Sequence, residues 1–108
     1  IRDRWRTILD DEESYEEVSA SAGIAAAMVL KKNPLYIKYI EKSIDGVLSH
    51  VAPDGSVTGV SGGTAVMKDR DGYRNVSKKW IQGWGQGLAL VFLAAVLKYD
   101  SISGDGAL

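Results

Sequence analysis

Two stretches of this sequence, 22–30 and 87–97, contain only apolar residues and glycine, and they constrain the fold more than any other feature. A helix with no polar face has to be covered on every side. A bilayer would require about twenty consecutive apolar residues, and neither stretch is that long. The sequence therefore predicts two buried helices and no membrane span.

A further helix is predicted between these two stretches. Lys31 and Lys32 suit the end of one helix, Asn33 a stop, and Pro34 the first turn of the next. Because the connection is short, we expect the helices on either side of it to be antiparallel neighbours. The helix after Pro34 is amphipathic, with one face in water. Its apolar stripe consists of Ile37, Ile40, Ile44, Val47, Leu48 and Val51.

The first residues also have helical spacing. Trp5, Ile8 and Leu9 would share one face of a helix. This spacing predicts a helical stub that began upstream, and we therefore interpret the chain as a fragment of a longer protein.

The start of the first buried helix has several candidates. Ser14 and Glu17 have the Ser-x-x-Glu spacing of a capping box. Ser19 and Ser21 are competing N-cap residues. The helix is expected to begin at one of these positions.

Turn-forming residues dominate the segment between the amphipathic helix and the second apolar stretch. Residues 52–55 (Ala-Pro-Asp-Gly) and 69–72 (Asp-Arg-Asp-Gly) are turns by composition. Residues 57–66, rich in Gly, Ser and Thr with alternating Val, predict a long loop or a short hairpin. The last helix is predicted over 87–99.

The order of these elements is an amphipathic stub, an apolar helix, an amphipathic helix, a long polar loop and an apolar helix. Such alternation is what two concentric rings of helices require, because the inner ring is covered on all sides and the outer ring on one. A four-helix bundle would put an apolar stripe on every helix. A buried hairpin of a larger helical protein fits the same periodicity.

Composition excludes several classes of function. The net charge is -1 and no run of Lys or Arg could follow a phosphate backbone, which argues against nucleic acid as a partner. The absence of cysteine excludes disulfides and thiolate metal sites. Residues 83–87 lack the full spacing of a nucleotide-binding loop, and residues 67–78 lack the ligands of a calcium loop. We predict no cofactor and no metal.

Several segments together resemble one enzyme family. Residues 17–25, Glu-Val-Ser-Ala-Ser-Ala-Gly-Ile-Ala, are similar to the Glu/Asp-x-Ser-Gly/Ala-Ser-Ala motif that opens a late inner helix in unsaturated rhamnogalacturonyl and glucuronyl hydrolases. These enzymes form glycoside hydrolase families 105 and 88. Residues 62–67, 72–75 and 79–87 resemble the loop and the final inner helix of the same families. Order and spacing agree from about residue 5 to residue 100.

The resemblance implies an all-α fold, with residues 1–108 as a single unit, the C-terminal portion of an (α/α)6-barrel catalytic domain. It also implies an unusual activity on unsaturated uronic-acid oligosaccharides. Water adds across the C4=C5 double bond, an Asp donates the proton to C4, and the resulting hemiketal collapses to release the neighbouring sugar. A cytoplasmic location is implied as well.

This sequence departs from the family pattern in one respect. The acid/base Asp of the family lies in the N-terminal half of the barrel, and none of the eight aspartates from Asp10 onwards sits in a matching motif. We therefore assign no catalytic residue and expect the 108-residue chain alone to be inactive. The aspartates concerned are Asp10, Asp11, Asp45, Asp54, Asp69, Asp71, Asp100 and Asp105.

Candidate substrate-binding residues cluster around the starts of the two apolar helices. Ser19 and Ser21 stand where hydroxyl and free backbone N–H groups can meet a sugar carboxylate, although ordinary capping explains them equally well. Trp80 and Trp84 offer flat faces to a sugar ring, and core packing explains one of them as well.

Four weaker candidates complete the set. Gln86 precedes the second apolar stretch and would face a cavity or satisfy loop backbone. Arg74 and Lys79 could pair with a substrate carboxylate, although such residues are often simply solvated. Thr64 belongs to the resembling loop.

Two other readings stay open. A different (α/α)-barrel carbohydrate enzyme would share the architecture, and the Asp-bearing motifs of the upstream sequence would decide between the two. A non-catalytic helical interaction module would be monomeric and free of exposed apolar surface. An isolated piece of a barrel would instead expose apolar faces, and we expect it to self-associate through them.

Overall fold

The computed structural model describes residues 4–99. Within them lie four α-helices, α1 (Val18–Lys31), α2 (Ile37–Leu48), α3 (Arg70–Arg74) and α4 (Gly83–Lys98). A 3-10 turn, Pro34–Tyr36, joins α1 to α2. None of the described helices is long and apolar enough to cross a membrane.

Helix α1 begins at a residue that sequence spacing had assigned to another role. The N-cap is Glu17, whose side chain accepts a hydrogen bond from the backbone N–H of Ala20. The predicted cap at Ser14 is wrong, because the Ser14 hydroxyl bonds instead to the carbonyl oxygens of Ile8 and Asp11. The C-cap is Lys32, which follows the last helical residue and adopts the left-handed conformation with φ of 57°.

Helices α1 and α4 pack side by side and run in the same direction. Gly23 in α1 faces Leu88 in α4, and a Cβ at Gly23 would lie 3.6 Å from Leu88 Cδ2. At their C-terminal ends, the Lys32 ammonium lies 4.6 Å from the centre of the Tyr99 ring. Their N-termini therefore meet at one end of the molecule. Most of the core lies between them: Ala22, Ala25, Ala26 and Val29 from α1, and Ala89, Phe92 and Ala95 from α4.

Helix α2 is amphipathic, as predicted, and lies antiparallel to α1. Val47 is fully buried, and Ile40 and Ile44 pack against the same core. Its C-terminal end lies beside the start of α1, since a Cβ at Gly59 would touch both His50 and Val18 at 2.8 Å. Leu48 does not belong to the buried stripe, because it is 49% exposed.

The predicted helical stub at the start of the chain is wrong for the residues described. Residues 4–9 form no helix. The segment pairs instead with residues 15–17, through the Thr7 N–H to Tyr15 oxygen bond (2.9 Å) and the Glu17 N–H to Trp5 oxygen bond (2.8 Å). This antiparallel pairing takes the backbone groups that a helix would have used.

The segment between α2 and α4 is mostly loop. Val51 and Val57 form a single antiparallel bridge across the turn at 52–55. Residues 58–66 form no strand, so of the two structures predicted for 57–66 the long loop is confirmed and the short hairpin is wrong. Residues 70–74, predicted as part of a turn, form the short helix α3, capped by the Asp69 side chain on the Gly72 N–H at 3.0 Å. Helix α4 begins at Gly83, before the predicted start at residue 87.

Both apolar helices carry a face that the described residues leave uncovered. On α1, Ile24 and Leu30 are 37% and 55% exposed. On α4, Leu90 and Leu97 are 69% and 65% exposed. Residues 4–99 therefore enclose one side of each helix and not the other.

Candidate functional site

The candidate site lies where α1 and α4 begin, and a loop residue connects the two helix starts. The Ser61 N–H donates to Glu17 Oε1 at 2.9 Å, at the N-cap of α1. The Ser61 carbonyl oxygen accepts the indole N–H of Trp84, in the first turn of α4, at 3.3 Å. Ser61 belongs to residues 57–66, the glycine-rich loop, and is thus held by both helices.

The rest of the loop is fixed by packing and backbone hydrogen bonds. The Gly59 carbonyl oxygen accepts the N–H of Val18, the first residue of α1, at 3.2 Å. Val60 is fully buried against Gly85 in α4. The Gly62 N–H donates to the Ser77 carbonyl oxygen at 2.7 Å. Residues 59–62 are therefore held in place by the rest of the chain rather than forming a free loop.

Two aromatic side chains near the start of α4 are exposed to solvent. Trp80 is 64% exposed and Trp84 is 48% exposed. The Lys79 ammonium lies 5.0 Å from the centre of the Trp80 ring. Thr64 is exposed on the adjoining loop, and its hydroxyl donates to the Gly62 carbonyl oxygen at 3.2 Å. Trp84 and Thr64 are bonded to neighbouring loop residues, Ser61 and Gly62, while Lys79 and Trp80 lie together in the segment before α4. All four are accessible to solvent, and substrate contact at each of them stays a prediction.

The two serines at the start of α1 are buried. The Ser19 hydroxyl contacts both carboxylate oxygens of Glu17 at 2.9 Å. Ser21 is completely buried, donating to the Glu17 carbonyl oxygen at 2.7 Å and accepting the Trp5 N–H at 2.8 Å. Ser19 is therefore connected to the site by its hydrogen bonds with Glu17. Ser21 connects the segment that contains Trp5 to α1. Substrate contact at either serine remains a prediction, and the burial of Ser21 does not support it.

Arg74 is engaged in ion pairs within the chain. Its guanidinium bonds the largely buried Asp11 carboxylate through Nε and Nη2, each at 2.7 Å, and Asp71 at 2.8 Å. The hydrogen bond from Arg74 lowers the pKa of Asp11 below its ordinary 3.8, and the same pairing raises the pKa of Arg74. These bonds fasten α3 to residues 10–13. A substrate carboxylate would have to compete with Asp11 for this cation.

Gln86 also has partners within the chain. Its Oε1 accepts the N–H of buried Val57, and its Nε2 donates to the Gly55 carbonyl oxygen at 3.1 Å. The amide therefore satisfies loop backbone, one of the two roles that the sequence suggested. It holds the turn between α2 and the glycine-rich loop against α4.

Sequence reasoning missed the two residues that organise this site. The sequence pattern predicts Glu17 as the partner of Ser14 in a capping box, and it does not single out Ser61. The signal for Glu17 was its place at the start of the resembling motif. Ser61 carries no local signal, because its role depends on contacts with Glu17 and Trp84.

The arrangement is suited to binding rather than to proton transfer. An aromatic surface beside hydroxyl groups and two helix starts fits a sugar ring with polar substituents. A carboxyl that donates a proton near neutral pH needs a raised pKa, and the pKa values of Asp10, Asp11 and Asp54 are all lowered. Within the part of the chain that the structure describes, no group of three His, Cys, Asp or Glu residues is placed to hold a metal ion.

Comparison with known proteins gives a consistent result. Residues 2–100 match the family described as Glycosyl Hydrolase Family 88. Over 94 residues the chain is 61% identical to a Bacillus subtilis (strain 168) protein named unsaturated rhamnogalacturonyl hydrolase YesR, covering 87% of this chain and 27% of that protein.

Two solved structures share the fold. Both are described as possible members of the GH105 family, one from Salmonella enterica serovar Paratyphi A and one from Klebsiella pneumoniae. The first superposes with a TM-score of 0.83 at 34% identity, and the second with 0.82 at 33%. Each comparison covers 89% of this chain and 26% of the solved chain. The chain thus spans about a quarter of the length of the relatives it matches.

Proposed function

Since this chain belongs to glycosyl hydrolase family 88, we propose that it is the C-terminal portion of an enzyme that hydrates unsaturated uronyl oligosaccharides. The predicted fold class, all-α and part of an (α/α)6 barrel, is confirmed by the likeness to the two GH105 structures. The observation that carries the proposed activity is the 61% identity to an unsaturated rhamnogalacturonyl hydrolase.

The geometry of the candidate site supports a substrate-binding role for these residues. The parallel helices α1 and α4 begin at the same end. Helix α4 has no side-chain cap, so its first N–H groups can meet an anion such as a uronic carboxylate, whereas Glu17 and Gly59 already accept N–H groups at the start of α1. The exposed rings of Trp80 and Trp84 adjoin that end. We propose that the sugar lies across these rings, with Lys79 and Thr64 beside it.

We further propose that the acid/base Asp belongs to another part of the protein. The pKa values of Asp10, Asp11 and Asp54 are all lowered, the opposite of the direction that an acid requires. Asp69 caps α3, and Asp71 pairs with Arg74. The role of these 108 residues is then to bind and orient the sugar while the proton and water come from the rest of the barrel.

The test is an assay of the whole protein on an unsaturated rhamnogalacturonyl disaccharide. Hydration removes the C4=C5 double bond, so the ultraviolet absorbance of the substrate should fall as the sugar is released. A matched disaccharide with the double bond reduced should not be cleaved, because hydration requires the double bond. Cleavage of both substrates at similar rates would contradict the proposal and favour a different barrel glycosidase.

The alternative of a non-catalytic interaction module has less support. It predicts no exposed apolar surface, whereas Ile24, Leu30 and Leu90 are exposed. Self-association through these faces and a cytoplasmic location both stay predictions.

A further inference from the structure

Glu17 is a buried carboxylate to which the proposed function assigns no role. It is 4% exposed. Oε2 accepts the N–H of Ala20 at 2.6 Å, and both oxygens contact the Ser19 hydroxyl at 2.9 Å. Oε1 accepts the N–H of Ser61 at 2.9 Å and its hydroxyl at 3.3 Å. All these partners are donors from this chain, so the carboxylate is satisfied internally.

The length of this side chain is needed for its second set of contacts. The residues preferred at an N-cap are Asp, Asn, Ser and Thr, whose short side chains reach the first turn of their own helix. Glu17 caps α1 through Oε2 and extends Oε1 to Ser61, 44 residues further along the chain. Capping alone would not require the additional methylene.

The contact continues beyond Ser61 to the aromatic surface. The carbonyl oxygen of Ser61 accepts the indole N–H of Trp84. Glu17 therefore fixes one side of the Ser61 backbone, and Trp84 is tied to the other side. The Trp84 ring is half exposed, and the hydrogen bond from its indole N–H to Ser61 orients the part that lies in solvent.

We propose that Glu17 is a positioning residue, which holds Ser61 and through it sets the plane of the Trp84 ring for the sugar. This inference rests on the proposed function, because it takes Trp84 as the surface that a sugar contacts. Glu17 itself touches no substrate. Its effect should therefore appear in substrate binding rather than in the chemical step.

Glu17→Asp is the informative variant. Aspartate is a good N-cap, so α1 should keep its start and the protein should fold. The shorter side chain withdraws from Ser61. We expect KM for the unsaturated disaccharide to rise about tenfold, the scale of a lost aromatic contact, with kcat within about twofold. Asp54→Asn, which alters a carboxylate that caps the Ser56 N–H in an exposed turn, is the control and should change neither constant.

A double-mutant cycle tests whether Glu17 acts through Trp84. In a Trp84→Phe background the indole N–H is absent, so Glu17→Asp should raise KM by no more than about twofold. An equal, independent rise in both backgrounds would overturn the proposal. A fall in kcat with unchanged KM would also overturn it, since that is the result of a merely unstable enzyme.

A spectroscopic readout separates this inference from the proposed function. In whole protein labelled with fluorotryptophan, the fluorine resonance that disappears in Trp84→Phe should shift in Glu17→Asp and stay in place in Asp54→Asn. An unmoved resonance would refute the positioning role. A wild-type protein with no hydration activity would overturn the proposed function alone, because the fluorine signal reports the link to Trp84 without substrate.

Discussion

Gly85 in the first turn of α4 lies against the side chain of Val60 in the glycine-rich loop. A Cβ at Gly85 would come within 2.5 Å of Val60 Cγ2, and Val60 is fully buried. The absence of a side chain at Gly85 is therefore what allows the loop to dock on the helix.

Gly85→Ala should displace the loop. Overpacking of this kind costs roughly 1–3 kcal/mol, and we expect a lower Tm together with a higher KM. Gly87→Ala, two residues on in the same helix, is the matched control, because no described atom lies within 4 Å of a Cβ there. Alanine at an open helical position should leave the Tm unchanged or raise it. Thermal unfolding of the two variants is the measurement. Equal losses of Tm would contradict the docking of the glycine-rich loop on Gly85.

Gln86→Ala should act on stability rather than on substrate binding. The variant leaves the buried N–H of Val57 without its acceptor, which costs about 1–3 kcal/mol. Gln82→Ala is the control, since that side chain makes no capping hydrogen bond. Denaturant unfolding measures the difference. A raised KM with unchanged stability would instead favour the substrate-binding role that the sequence suggested for Gln86.

The contact between Asp11 and Arg74 predicts a dependence of stability on acid. Because Arg74 lowers the pKa of Asp11 in the folded protein, the pair stabilises fully above the ordinary value of 3.8 and is lost as pH falls through the lower folded pKa. Asp11→Asn should therefore flatten the loss of Tm below about pH 3.8. Asp10→Asn, whose exposed carboxylate pairs with Arg70, should have the smaller effect. Identical acid profiles for both variants would refute this assignment.

Trp80 should contribute to sugar binding through its flat face. Trp80→Ala is expected to raise KM about tenfold, equivalent to about 1.4 kcal/mol, and to leave Tm unchanged because the ring is largely exposed. Trp80→Phe keeps an aromatic face and should recover most of the affinity. Steady-state kinetics on the unsaturated disaccharide test both variants, and a KM unaffected by alanine would remove Trp80 from the site.

The two apolar stretches indicated helices correctly, whereas the spacing of apolar residues at the start of the chain did not. The apolar stretches around Ala25 and Phe92 predicted α1 and α4, because uninterrupted apolar sequence of that length has few other solutions. The helical spacing of Trp5 and Leu9 was misleading. The backbone N–H and C=O groups of that segment bond to residues 15–17 instead of forming a helix.

The candidate site could be predicted only in part. The type of Trp80 and Trp84 and their position before the apolar stretch at 87–97 predict a place in the site, and the structure leaves both rings exposed. Their contact with substrate stays a prediction. The contact between Glu17 and Ser61 could not be predicted from the sequence, because they are 44 positions apart and no pattern in the intervening sequence brings the two together. The ion pair between Arg74 and Asp11 could not be predicted either, because the two residues are far apart in the sequence and no pattern connects them.

The central claim is that the exposed faces of α1 and α4 are inner-wall surfaces covered by the rest of the barrel. Solvent labelling of introduced thiols tests this directly, since these residues contain no cysteine of their own. Ile24→Cys and Leu90→Cys, made in the whole native protein, should be protected from a thiol reagent, and Lys38→Cys on the wet face of α2 should react freely. Reaction at positions 24 and 90 as fast as at position 38 would contradict the account.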